Sequence, residues 1–385
     1  MLKKVLYINL TAKTSGAEFS LLRLMSGLDV GKFHPILLLS ESGPFREKAE
    51  MLGIETVILP QLIKFGEYFR FYKIPKALWA VYKLLRMIRT KKIHLVHANS
   101  PRAAYISDMA AYLAGVPSVI HVRDTHESPF NSLFKSKLLG FFSNRIVAVS
   151  RAAADMVLRV NPSLIGKTEV VYNGFAMNVI SATPWKDIRG EWNIPPVAKL
   201  IGAVGTIHPS KGQDILIRAV ARLKKSIPAL KLLLIGEVFH RDAEAYQVGL
   251  GKLAVELGIG GDVIFTGFRH DVLSLIKGLD IFVHPAIIAD SLPGVLIEAA
   301  ALGKAIVATR VGGVAEIVEH ESSALLVEPG DAASLANAML TLLTDMDLAQ
   351  RLARQAQRHA SSLFSIQGYV ENISKIYEQL LEGKK

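Results

Sequence analysis

The sequence predicts an α/β protein built from two doubly wound, Rossmann-like domains facing a cleft. Strand-like runs alternate with helical periodicity along the whole chain, the pattern of helices layered on a parallel sheet. The 385 residues exceed a typical single domain, and the 50% hydrophobic content supplies two cores. The texture breaks once, at 173–197, an irregular stretch with three prolines that reads as a linker. These observations place a first domain at 1–178, a second at 179–365, and a long amphipathic helix at 366–385.

Seven buried-strand runs are expected in the first half: KVLYIN, HPILLLS, ETVILP, HLVHAN, SVIHVR, RIVAVS and EVVYNG. Each is a short apolar run, as strands buried on both faces require. Amphipathic segments such as AEFSLLRLMSGL and AAYISDMAAYLAG connect them. After the linker a second series begins: LIGAVG, KLLLIGE, VIFTGF, DIFVHP, KAIVAT and ALLVEP, each followed by a helical segment. The N-terminal MLKKVLYIN reads as a first strand, because its apolar run is too short for a signal sequence.

Composition narrows the function. There are no cysteines, which excludes disulfides, thiolate metal sites and cysteine nucleophiles. No apolar run is long enough to span a membrane. The charge is uneven: residues 1–178 carry a net +12 and residues 179–385 a net −1. An anionic partner is therefore expected for the first half. The absence of cysteine fits a cytoplasmic location.

The richest segment runs from Asp290 to Thr309. It reads as a loop carrying Asp290, a turn at Pro293-Gly294, an Ala-rich helix carrying Glu298 and ending at Gly303, and a strand. Loops and helix starts of this kind lie at the carboxyl edge of an open sheet, where ligands bind. The N–H groups of Gly294, Val295 and Leu296 are expected to hold a phosphate. Glu298, one turn in, is placed to accept from two ribose hydroxyls. Neither domain's first loop carries a G-x-G-x-x-G fingerprint or a Walker A run, which disfavours a dehydrogenase or a P-loop ATPase.

In their order along the chain the motifs resemble those of the retaining glycosyltransferases of the GT-B fold, family 4 (group 1). The carriers are SGAEFSLLRLMSGL, VAVSRAAADMV, VVYNGF, VGTIHPSKGQDILIRAV, VIFTGFRHDVLSLIKGLDIFVHPA, the 290–309 segment and TRVGGVAEIVEHESSALLVEPGD. The resemblance implies that Gly16 lets the first loop approach the donor diphosphate and that Lys211 neutralises it. It implies that Asp290 stands at the sugar hydroxyls, Glu298 at the ribose, and the Phe268–Arg269 backbone at the base. It also implies that the C-terminal helix crosses back to the first domain. Two positions depart from the family pattern. Asp290 replaces a glutamate, and Thr206 stands where a diphosphate-binding arginine is usual. Arg123 and Arg269 are the candidates to compensate.

His97, His121, Arg123, Asp124 and His126 form the densest polar cluster of the first half, at the ends of two expected strands. His121 and Arg123 are candidate catalytic groups, and His97, Asp124 and His126 acceptor-side candidates. Capping or core histidines and a local ion pair are the alternative reading. Leu62 to Lys92 interleaves aromatic and basic residues with a single acid, Glu67. Because the resemblance implies lipid-linked or cell-envelope acceptors, an anionic membrane surface is the expected partner rather than nucleic acid, with the protein peripheral on the inner face of the plasma membrane.

The expected function is transfer of a sugar from a UDP- or GDP-linked donor to a cell-envelope glycan or lipid-linked acceptor. The first domain would bind acceptor, the second donor, and the cleft would close for transfer. No cofactor and no metal are expected, since Lys211 and helix starts would carry the departing charge. The competing readings are a nucleotide-sugar 2-epimerase of the same fold and a catalytically degenerate scaffold.

Overall fold

The computed structural model describes residues 2–62, 74–125, 132–238 and 244–383. The chain forms two compact units, Met1–Phe175 with Phe364–Lys385, and Ala176–Leu363.

Among the described residues the first unit holds seven parallel strands: β1 (Lys3–Asn9), β2 (Phe33–Leu39), β3 (Glu55–Ile58), β4 (Leu95–Ala98), β5 (Ser118–Val122), β6 (Arg145–Ala148) and β7 (Thr168–Val170). Their order is β3-β2-β1-β4-β5-β6-β7. The helices between them are α1 (Gly16–Gly27), α2 (Pro44–Met51), α3 (Ile74–Thr90), α4 (Pro101–Ala114), α5 (Leu133–Phe142) and α6 (Arg151–Val160). The chain steps outward from β1 to β3, then returns to β4 and steps the other way. Right-handed crossovers therefore put α1 and α2 on one face and α3 to α6 on the other. The reversal lies between β1 and β4, the switch point of the sheet.

The second unit begins with α7 (Met177–Ser181) and α8 (Ile188–Glu191). The stretch expected as a linker is therefore folded. Ile188 is buried, and Arg189 bonds Asp280 at 2.9 Å and the Ala198 carbonyl at 2.7 Å. The strands are β8 (Lys199–Val204), β9 (Leu230–Ile235), β10 (Val263–Gly267), β11 (Ile281–His284), β12 (Ala305–Thr309) and β13 (Leu325–Val327). They are parallel in the order β10-β9-β8-β11-β12-β13, so this switch point lies between β8 and β11. The helices are α9 (Gln213–Leu223), α10 (Glu244–Glu256), α11 (Val272–Gly278), α12 (Gly294–Ala301), α13 (Val314–Ile317), α14 (Ala332–Thr344) and α15 (Met346–Leu363).

The last helix, α16 (Ile366–Glu382), belongs to the first unit. Ser365 caps it by accepting from Gly368 N–H. Tyr369, Val370, Ile373, Ile376 and Tyr377 recur at helical spacing and are all buried in the same core cluster as Leu21, Leu24 and Met25 of α1. Phe364 and Phe175 fix its entry, with Phe175 N–H donating to the Phe364 carbonyl at 2.8 Å and Ile366 N–H to the Phe175 carbonyl at 3.1 Å.

Candidate active site

In the second unit the expected donor residues gather at the switch point. Lys211 lies in the loop after β8 and Asp290 in the loop after β11. Their side chains form an ion pair at 2.7 Å, each about one-third exposed, at 30% and 27%. The two loops are bound to each other directly. Ile287 and Ile288 N–H groups both donate to the Ser210 carbonyl, at 3.0 and 3.3 Å. Gly212 has φ +66°, and a Cβ there would lie 2.0 Å from the Pro285 carbonyl oxygen. Only glycine permits both the turn and that approach. Behind Asp290 the Gly312-Gly313 pair performs a similar task. Gly313 N–H donates to the Asp290 carbonyl at 2.8 Å, and a Cβ on Gly312 would lie 2.1 Å from that oxygen. The two loops are thus rigid supports for one cation and one carboxylate.

Helix α12 opens beside them. Pro293 is its N-cap and supplies no side-chain bond. Leu296 N–H already donates to the Pro293 carbonyl at 3.1 Å, so it does not serve a ligand as expected. The helix start offers the Gly294 and Val295 amides. Glu298, half-buried, sits one turn further along the helix.

Other expectations are corrected. Arg269 does not stand ready for a phosphate. Its guanidinium forks onto Glu191 at 2.5 and 3.1 Å and onto Asp271 at 2.8 and 2.9 Å, and it covers the Trp192 ring at 5.4 Å. These carboxylates raise its pKa further, and Arg269, with Lys186, holds Asp271 well below the usual carboxylate range. Phe268 is exposed and meets His270 edge-on at 4.7 Å. Thr206 is exposed, and its carbonyl accepts from the Gln213 side chain at 2.9 Å.

One neighbour of the site was missed in the sequence. His284 ends β11 and is 97% buried, and its Nε2 has no hydrogen-bond partner. Burial depresses its pKa to about 4, with Asp290 opposing and Lys211 adding to the shift. The buried Gln213 Oε1 is likewise unpaired, and His284, Gln213 and Lys211 line one small cavity of about 10 Å³. That is room for about one water. A strand-final histidine preceding Pro285 was the available signal.

In the first unit His97, His121 and Arg123 meet, but as an internal knot. His97 Nδ1 bonds Tyr377 Oη at 2.6 Å, Tyr377 bonds Tyr7 at 3.0 Å, and His97 Nε2 bonds His121 Nδ1 at 3.2 Å. Arg123 uses all five N–H donors, on Asn99 (2.7 Å), Ser20 (2.9 Å), Asn173 (2.8 Å), His121 (3.2 Å) and Tyr369 (3.2 Å). Both histidines are fully buried. Burial, reinforced by Arg123, lowers His97 to about 3 and His121 well below the ordinary range. The cluster ties α16 to β1, β4, β5 and α1. Arg123 is therefore spent on the fold rather than compensating for Thr206, and His97 and His121 are interior groups. Asp124 is exposed, and His126 lies outside the described residues.

Glu18 completes a capping box with Ser15 and bonds Asn9 at 3.1 Å, which in turn bonds Asn99 at 2.8 Å. Gly16 needs no special φ, and a Cβ there would meet no described atom within 4 Å. Nothing within its own unit requires a glycine.

Two doubly wound parallel-sheet units, one with a paired lysine and carboxylate at its switch point, define a glycosyltransferase of the GT-B fold. Residues 14–178 match the model of Glycosyltransferase Family 4, and residues 186–359 that of the group 1 glycosyl transferases. The chain belongs to this glycosyltransferase family. It is similar to the putative glycosyltransferase YtcC of Bacillus subtilis, 25% identical over 77% of this chain and 75% of that one. It also resembles the lipopolysaccharide core biosynthesis glycosyltransferase LpsE of Rhizobium meliloti, 32% identical over 51% and 53% of the two chains. Among solved structures it is similar to Anabaena HepE in complex with UDP and glucose, with TM-score 0.83, 25% identity, and coverage of 98% and 99%.

Proposed function

We propose that this enzyme transfers a sugar, with retention, from a nucleotide-diphosphate sugar to a cell-envelope glycan or lipid-linked acceptor. The carrying observation is the Lys211–Asp290 pair, held at 2.7 Å at the switch point beside the start of α12. Lys211 and the Gly294 and Val295 amides supply positive potential for a diphosphate. Asp290 and Glu298 supply carboxylates for sugar and ribose hydroxyls. The UDP and glucose bound by the Anabaena neighbour and the lipopolysaccharide role of the Rhizobium relative support this reading.

In the reaction the bond from the anomeric carbon to the diphosphate oxygen breaks as the acceptor oxygen bonds on the same face. The acceptor proton passes to the departing phosphate. The protein's contribution is electrostatic, through Lys211 and the helix-start amides, and no divalent metal is assigned a role.

Calorimetric titration with UDP, GDP and ADP, followed by incubation with the matching sugar donors with and without envelope lipid extract, tests this. Nucleotide binding with acceptor-dependent sugar transfer, unchanged by EDTA, is expected. Conversion of the donor sugar without acceptor would assign the fold to an epimerase, and absence of nucleotide binding would overturn the reading.

A further inference from the structure

In the first unit α3, α4 and α5 lie side by side on one sheet face, and their polarity is fixed by bonds at their ends. Lys91, just past α3, pairs with Glu55, the first residue of β3, at 2.7 Å. Asn144, just past α5, donates its N–H to the carbonyl of Ser118, the first residue of β5, at 3.1 Å. Both C-termini are therefore at the amino edge of the sheet, and both N-termini at its carboxyl edge. That is the edge where ligands of open α/β sheets bind.

Exposed apolar side chains stand at both ends of these helices, with Tyr112, Leu113 and Phe141 at the C-terminal ends of α4 and α5. Leu78, Trp79 and Tyr82 protrude from the first half of α3, and Leu133 and Phe134 from the start of α5, with Trp79 50% and Phe134 70% exposed. Trp79 stacks on Tyr82 at 5.6 Å, and the Lys83 ammonium lies 4.9 Å over the Trp79 ring. Lys76 and Lys137 are exposed beside them. At the opposite end Arg86 and Lys92 are exposed, and two further basic groups are engaged in the fold. Arg89 donates to the Leu113 carbonyl at 3.2 Å, and Lys91 holds Glu55.

We propose that this unit meets an anionic bilayer through the N-terminal ends of α3 and α5, so that the ligand edge of its sheet faces the lipid. Leu78, Trp79, Tyr82, Leu133 and Phe134 enter the interface, and Lys76, Lys83 and Lys137 take the headgroups. The occupant follows from the chemistry. Aromatic rings with basic neighbours match the polar–apolar boundary of a bilayer, where lysine stems lie on apolar surface while ammoniums reach phosphate. The net +12 of residues 1–178 has the sign that anionic lipid attracts. This contact deepens the proposed function, since it brings the edge to membrane-borne acceptor. It narrows the expected contact, Leu62 to Lys92, to the N-terminal half of α3 and adds α5; residues 63–73 of that segment lie outside the described residues.

The chain has three tryptophans, so Trp185→Phe with Trp192→Phe leaves Trp79 as the only reporter. This protein is mixed with vesicles of phosphatidylglycerol and phosphatidylcholine carrying brominated acyl chains. Trp79 emission is expected to shift blue and be quenched at low salt, and much less so with phosphatidylcholine alone. Leu133→Ser with Phe134→Ser should weaken vesicle co-sedimentation at least tenfold. Tyr112→Ser with Phe141→Ser, at the other end, should leave it unchanged. An unquenched Trp79, or equal losses from both pairs of substitutions, overturns the proposal. UDP titration of the same protein separates the two readings: nucleotide binding without vesicle binding removes this surface and leaves sugar transfer standing.

Discussion

Lys211 and Asp290, seventy-nine positions apart, hold each other at 2.7 Å across two loops that leave neighbouring strands at the point where the sheet reverses. The pair has a functional consequence. A diphosphate arriving at Lys211 competes with Asp290 for the same ammonium. Asp290→Asn should therefore leave nucleoside diphosphate affinity equal or stronger while sugar transfer falls at least tenfold. Lys211→Ala should weaken diphosphate binding far more than nucleoside binding, by about 1.5–3 kcal/mol for a charged hydrogen bond. Titrations with UDP and uridine check both. Equal losses for the two ligands in Lys211→Ala would reduce Lys211 to a support for the loop.

Glu298 is expected to bind the ribose. Glu298→Ala removes a charged acceptor, and nucleoside affinity should fall by roughly ten- to a hundredfold. The variant's melting temperature controls for folding. A folded Glu298→Ala protein that binds UDP like the parent would remove the assignment.

Thr206 is exposed on the loop after β8, and the structure offers no reason against a longer side chain there. Thr206→Arg should fold normally and tighten diphosphate binding. No gain in affinity would show that Lys211 and the α12 amides already suffice.

Arg123 predicts a stability effect instead of a donor effect. Its five bonds link the sheet to α16. Arg123→Ala leaves five acceptors without their donor, and Arg123→Lys restores only part of the fork. Unfolding should be easier by about 3 kcal/mol or more for Ala, with Lys intermediate. Uridine affinity of the folded protein should be unchanged. A full-strength fold with lost sugar transfer would return Arg123 to catalysis.

Asp108 of α4 carries a pH dependence. It is fully buried, accepts from Ser143 at 2.7 Å and Ser107 at 3.1 Å, and burial raises its pKa from 3.8 to about 7, partly opposed by these serines. The folded state thus keeps a proton that the unfolded chain releases. This group's contribution falls as pH rises from about 4 to 7 and stays low above that. Asp108→Asn should be more stable than the parent at pH 8 by on the order of a few kcal/mol, with the difference shrinking towards pH 4. Urea unfolding of both proteins across that range decides it, and a pH-independent difference would contradict the assignment.

The sequence by itself determined the strands and their alternation with helices, because parallel strands buried on both faces must be short apolar runs wherever they sit. It also determined the loop–helix unit carrying Asp290 and Glu298, since proline, glycine and an Ala-rich run specify a turn and a helix locally. Tertiary structure alone decided which polar residues remain available to a ligand. Arg123, Arg269, His97 and His121 looked like site residues because they are polar and lie at strand ends. Whether such a group faces a ligand or its own fold depends on partners far along the chain: Tyr369 and Tyr377 for the first cluster, Glu191 for Arg269. The same holds for Lys211 and Asp290, whose pairing follows from the strand order that sets β8 beside β11. Local sequence encodes backbone conformation through short-range sterics, whereas the partner of a long charged side chain is set by which elements the completed sheet brings together.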